Sequence, residues 1–175
     1  MLETQHELEQ LQSATNEPVF RLNGKLLSSK MDPRKEAAQW LEQNQLFARL
    51  SKTIVVIGVG SGYHLIALKE KYPTAQIIAV SSSTQLLESI QVVHKDAVKG
   101  IIFYPATTLD DFFEAEPTQS VFSTTTVVLK HATYKFEENP VLEAIEEAIV
   151  ARTYSALKKY IQKNESLTVC LPSIP

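Results

Sequence analysis

From Thr53 to Ile57, five apolar or β-branched residues run without a polar break, as in a strand covered on both faces. Runs of this kind then alternate with stretches of helical period. Gly62 to Tyr72 reads as a helix with Leu65, Ile66 and Leu68 inward, and Gln76 to Val80 as a second strand. Ser82, Ser83 or Thr84 caps a helix carrying Leu86, Leu87, Ile90 and Val93. A third strand is expected at Ile101–Phe103, a short helix at Leu109–Glu114 and a fourth strand at Thr125–Leu129. Pro140 opens a long helix to about Lys163, in which Leu142, Ile145, Ile149, Thr153, Leu157, Tyr160 and Ile161 keep the helical period. Leu167 to Leu171 reads as a fifth strand. Strands alternating with helices predict parallel βαβ units with right-handed crossovers. The expected fold is a Rossmann-like three-layer α/β sandwich with a mainly parallel sheet and strand order 3-2-1-4-5. Ligands in such sheets bind at the carboxyl ends of the strands, where the order reverses.

Ahead of this core, residues 2–14 carry Leu2, Leu8 and Leu11 among Gln and Glu, which predicts a short, loosely docked helix. Val19 to Leu22 and Lys25 to Ser28 flank Asn23-Gly24, a hairpin signal because both turn residues take positive φ. Asp32 suits a helix cap and Pro33 the first helical position, with Ala37, Trp40, Leu41 and Leu46 on the inner face. The expected organisation is a lead-in over residues 1–50 and an α/β core over 51–175, in one compact domain.

Composition narrows the function classes. In 175 residues, 44% are hydrophobic and 21% charged, ordinary for a globular domain with a sizeable core. A net charge of −3 supplies no field that favours nucleic acid or an anionic membrane. No apolar run reaches membrane-spanning length, and the polar, acidic start does not read as a signal peptide. The single cysteine, Cys170, excludes an internal disulfide and suits a reducing cytoplasm as a buried core thiol. His6, His64, His94 and His131 show no metal-ligand spacing. Whether the chain is a whole protein or part of a longer one stays open, as does a homodimer.

The candidate chemistry gathers after the first core strand. Gly58, Gly60 and Gly62 alternate there, followed by Tyr63 and His64. Such a turn allows close backbone approach and aims the amides of the next helix, with Ser61, at an anionic ligand. A Cβ at Gly60 is expected to intrude on that ligand. The spacing departs from the dinucleotide fingerprint, since Tyr63 stands where a third Gly is needed, and no P-loop Lys follows. G-x-G-x-G after a strand instead resembles the first motif of the class I methyltransferase-like fold, so the expected sheet is of the class I methyltransferase type. In adenosine-binding units the second strand ends in an acid that grips the ribose. Here it ends in Ser81 and Ser82, which predicts poor S-adenosylmethionine binding. The fourth strand leads into His131 and Tyr134, the catalytic candidates, with His131 as general base. His131 reads equally as a polar loop residue. Ser29, Lys30 and Arg34 read either as a plain helix start or as a polar loop over the Gly turn, offering cations to a phosphate or carboxylate.

Two stretches together resemble the bacterial motility accessory factor family. Ser28-Ser29-Lys30-Met31-Asp32-Pro33-Arg34-Lys35-Glu36-Ala37 is similar to its Ser-Lys-Tyr-Asp-Pro-x-x-Glu-Ala signature. Val56-Ile57-Gly58-Val59-Gly60-Ser61-Gly62-Tyr63-His64-Leu65 is similar to the Gly-x-Gly-x-Gly-Tyr-His stretch that follows it, at similar spacing. The resemblance covers roughly residues 20–135. It implies a nucleotide-type ligand and transfer of a nonulosonic sugar from a nucleotide-activated donor to flagellin. Members are much longer, so this chain would hold only part of the fold, and the usual acid after the second strand is missing at Ser81. The resemblance leaves open a glycosyltransferase and a partial or reduced member that binds without catalysing. Nucleotide sugar and S-adenosylmethionine are the cofactor classes in view. Alternatives are a small-molecule methyltransferase and a non-catalytic interaction module.

Overall fold

A computed structural model describes residues 7–49, 51–116, 118, 121 and 125–163; the side chains of Leu46 and of residues 152–163 lie outside the description. Its centre is a parallel sheet of β4 (Thr53–Ile57), β5 (Gln76–Ser81), β6 (Ile102–Pro105) and β7 (Thr126–Lys130), in spatial order β6-β5-β4-β7. The expected order differs from this in its fifth strand: residues 167–171, with Cys170, lie outside the described residues. Every residue of β4 is buried, as its unbroken apolar run requires. Ile54 pairs with Ile77 and Val127, and Ile57 with Val80 and Lys130.

Helices cover both faces. Ile54, Val56, Ile77 and Ala79 point to one side, where α1 (Pro33–Ala48), α2 (Tyr63–Lys71) and α3 (Thr84–His94) build a core around Leu65, Leu68, Leu86 and Ile90. Val55, Ile57, Ile78 and Val80 point to the other, against Phe112 of α4 (Leu109–Glu114) and Leu142, Ile145 and Ile149 of α5 (Pro140–Lys163). The alternation of a pleated strand thus feeds two cores from one apolar run. The expected caps form: Asp32 accepts from the amide of Lys35 with Pro33 at the first position, and Ser83 accepts from that of Leu86.

The N-terminal region differs from expectation. Leu8 to Gln12 is a strand, β1 (Leu8–Gln12), not a helix. It pairs antiparallel with β2 (Pro18–Leu22), which turns through Asn23-Gly24 into β3 (Lys25–Leu26). A short helix with three leucines is marginal alone. Pairing along the open edge of β2 keeps all five residues in register and gives alternate ones backbone partners instead. The hairpin turn is as expected, with φ of 52° at Asn23 and 78° at Gly24. Val19, Phe20 and Leu22 are fully buried and belong to the same core as α1 and α2.

Candidate functional site

β4 ends at the Gly turn, and Gly58, Gly60 and Gly62 all take positive φ, 90°, 52° and 95°. The close approach they permit is used by the chain itself. A Cβ on Gly60 would stand 3.0 Å from the carbonyl oxygen of Leu27 and 3.2 Å from the rings of both His64 and His131. On Gly58 it would meet the His131 carbonyl at 2.9 Å and Tyr134 Cβ at 3.0 Å. His94 closes on Gly62 and donates from Nε2 to the carbonyl of Ser61 at 2.7 Å. Ser61, 1% exposed, accepts from the amide of Phe20 at 2.9 Å and from the Ser28 hydroxyl at 2.7 Å. Tyr63 donates to the carbonyl of Pro18 at 2.6 Å. The N-terminal sheet and the Leu27–Lys30 strap thus lie on the turn expected to face a ligand.

His64 and His131 stack over Gly60, with ring centroids 4.2 Å apart and planes 20° from parallel. Trp40 of α1 stands edge-on to His64 at 4.9 Å and donates from Nε1 to the carbonyl of Lys130 at 3.1 Å. His64 donates from Nε2 to the carbonyl of Gly58 at 3.1 Å, which places its proton there. Burial, then the neighbouring His131, holds the His64 pKa well below its ordinary value. Burial brings His131 down to about 4. Both rings are neutral near pH 7. Nδ1 of His131 is hydrogen-bonded with Thr133 Oγ1 at 2.7 Å, whereas Nε2 has no hydrogen-bond partner among the described residues.

His131 lines a cleft of about 440 Å³ at the carboxyl edge of the sheet. The strap supplies Ser28, Ser29 and Lys30, α1 supplies Glu36, Gln39, Trp40 and Gln43, and the far wall is Ala132, Thr133 and Phe136. Burial raises the pKa of Glu36. Of the expected ligand contacts, Ser29, Lys30 and His131 meet here. Ser29 Oγ also accepts from the amides of Met31 and Asp32, which shapes the strap. Arg34 does not join them. It is paired with Glu17 and sits over the Tyr63 ring at 5.4 Å. Tyr134 is separated too: it packs in the core of α4 and α5, its hydroxyl 3.5 Å from Glu143.

Ser81 and Ser82 lie at the end of β5 and meet a carboxylate from elsewhere. Oε1 of Glu137 accepts from the Ser81 hydroxyl at 2.5 Å, the Ser82 amide at 2.8 Å and the Ser82 hydroxyl at 3.0 Å. Glu137 belongs to a 3₁₀ segment, Ala132–Glu137, that follows β7, and is 5% exposed. Burial raises its pKa, and the serine hydrogen bonds pull it back. No sequence signal pointed to Glu137, because 56 residues separate it from Ser81. Among the described residues no group of His, Cys, Asp and Glu could hold a metal ion, and no helix is long and apolar enough to cross a membrane.

No family model, curated protein or solved structure matches this chain.

Proposed function

We propose that this domain binds a small nucleotide-type ligand in the cleft between the strap, α1 and the end of β7, and holds it without acting on it. The observation that carries the reading is His131: a ring 8% exposed, lining an open cleft, with Nε2 unpartnered among the described residues. A buried polar atom without a partner has a hydrogen bond to offer a ligand. Lys30 brings a cation for a phosphate or carboxylate, and Trp40 an aromatic surface for a base or sugar. The resemblance of the strap and Gly turn to motility accessory factors supports a nucleotide-activated sugar as ligand class, in a partial relative on a methyltransferase-type sheet.

Binding is favoured over catalysis because general-base efficiency is greatest when the pKa lies near the working pH. A histidine at about 4 is a weak base at neutrality. Tyr134 also sits on the other side of the sheet. Methyl transfer is the weaker reading, since the end of β5 carries serines whose hydroxyls are engaged by Glu137.

Thermal shift and calorimetry with nucleoside diphosphates, nucleotide sugars and S-adenosylmethionine test this. A nucleotide at a hundred times its Kd adds about 2.7 kcal/mol to stability, and S-adenosylmethionine should add little. Lys30→Ala and His131→Asn should each weaken nucleotide binding by about tenfold or more, the scale of a lost hydrogen bond to a charged group. Absence of nucleotide binding, or equal affinity in both variants, would overturn the reading.

A further inference from the structure

The order of the strands places the segment after β7 in an unusual position. β7 lies beside β4, and β4 lies between β7 and β5. Glu137, which follows β7, is nevertheless hydrogen-bonded at the end of β5. The segment from His131 to Glu137 therefore crosses the carboxyl end of β4. That is the point where the strand order reverses, and open parallel sheets take their ligands in the crevice there. Along the crossing, the His131 carbonyl and Tyr134 close on Gly58, and the His131 ring closes on Gly60. The segment ends at Glu138, a non-glycine residue in the left-handed region at φ 50°. Such a conformation stores strain that the surrounding packing holds in place.

We propose that residues 131–138 are an autoinhibitory plug seated in the sheet's own ligand crevice, with Glu137 as its latch on Ser81 and Ser82. The inner face of the plug fills the place where a ribonucleoside would lie across the Gly turn and the end of β5. Its outer face is the wall of the cleft that carries His131, Ala132, Thr133 and Phe136. A carboxylate that withdraws from a buried site regains hydration, which offsets part of the three broken hydrogen bonds, while Tyr134 gives up its packing against α4 and α5. The closed state is thus one of two arrangements of the same chain, and a ligand that fits the open crevice shifts the balance by its preference for it.

The test uses the full chain with Glu137→Ala, and a Ser81→Ala/Ser82→Ala double variant that removes the latch from the other side. Amide hydrogen exchange should quicken at least tenfold over residues 132–138 in both, with the protection of β4 and β5 kept. Adenosine 5′-diphosphate should bind Glu137→Ala at least tenfold more tightly than the parent, with amide chemical shifts changing at Gly58, Gly60 and Ser82. Unchanged exchange in both variants would overturn the proposal. So would quickening that extends equally through β4 and β5, which marks a merely structural hydrogen bond, and so would affinity equal to that of the parent. Lys30 lies outside the plug, so the cleft reading, on which the outer wall rests, can fail in Lys30→Ala while the latch stands, and the latch can fail while cleft binding remains.

Discussion

At Gly60 a single missing side chain lets three parts of the molecule meet: the strap through the Leu27 carbonyl, α2 through His64 and the end of β7 through His131. Gly60→Ala should therefore damage the fold itself rather than a ligand contact alone. A left-handed alanine costs about 1–2 kcal/mol, and overpacking against a backbone oxygen adds about 1–3 kcal/mol. Denaturant unfolding should show a loss of about 2–5 kcal/mol; a loss below about 1 kcal/mol would mean that the strap gives way easily. Gly24, which has positive φ but nothing within 4 Å of an added Cβ, is the control. Its alanine variant should cost only the conformational part, about 1–2 kcal/mol.

At the level of elements, the N-terminal sheet is fastened to the Gly turn by few polar contacts. Ser61 accepts the amide of Phe20 in a buried setting, and Tyr63 reaches the carbonyl of Pro18. Ser61→Ala leaves that amide without its acceptor, which costs about 1–3 kcal/mol. Hydrogen exchange should quicken over β1 and β2 before it does in β4. Uniform loss across the chain would show that the sheet and the turn unfold as one unit. Asp32→Ala removes the cap of α1 and should cost about 1 kcal/mol, read by unfolding. It should also weaken ligand binding in the cleft, since the strap residues Ser29 and Lys30 are held against the start of that helix.

For the whole molecule, the stacked histidines set the response to acid. His64 and His131 both have folded pKa values below the ordinary 6.5, His131 at about 4. The unfolded chain takes up protons that the folded chain refuses. Their contribution is complete above about pH 6.5 and is lost as pH falls toward about 4. Each ring adds a slope of up to about 1.4 kcal/mol per pH unit in that window. Glu36 and Glu137 act oppositely: with raised folded pKa values, they give stability at low pH that is lost as pH rises through those values. His131→Asn should flatten the fall in unfolding free energy between pH 6.5 and 4, and an unchanged slope would place the titration elsewhere.

The sequence alone determined what depends on local period and local geometry. The unbroken run of β4, the helical spacing of α2 and α3, the Asn23-Gly24 turn and the caps at Asp32 and Ser83 all form as their residues require. The Gly turn was legible as a place of close approach, because alternating glycines after a strand serve that purpose. Only the tertiary structure decided what approaches: Leu27, His94, His131 and Tyr134 of the same chain. β1 became a strand because an unpaired edge on β2 offered more than a thin leucine stripe could. The separation of His131 from Tyr134 in the segment after β7, and of Lys30 in the strap from Arg34 at the start of α1, followed from the partners each met, and those partners come from distant sequence. Glu137 was invisible for the same reason. Its place at Ser81 exists only because the strand order brings β7 beside β4 and β4 beside β5, and no pattern within the segment records that pairing.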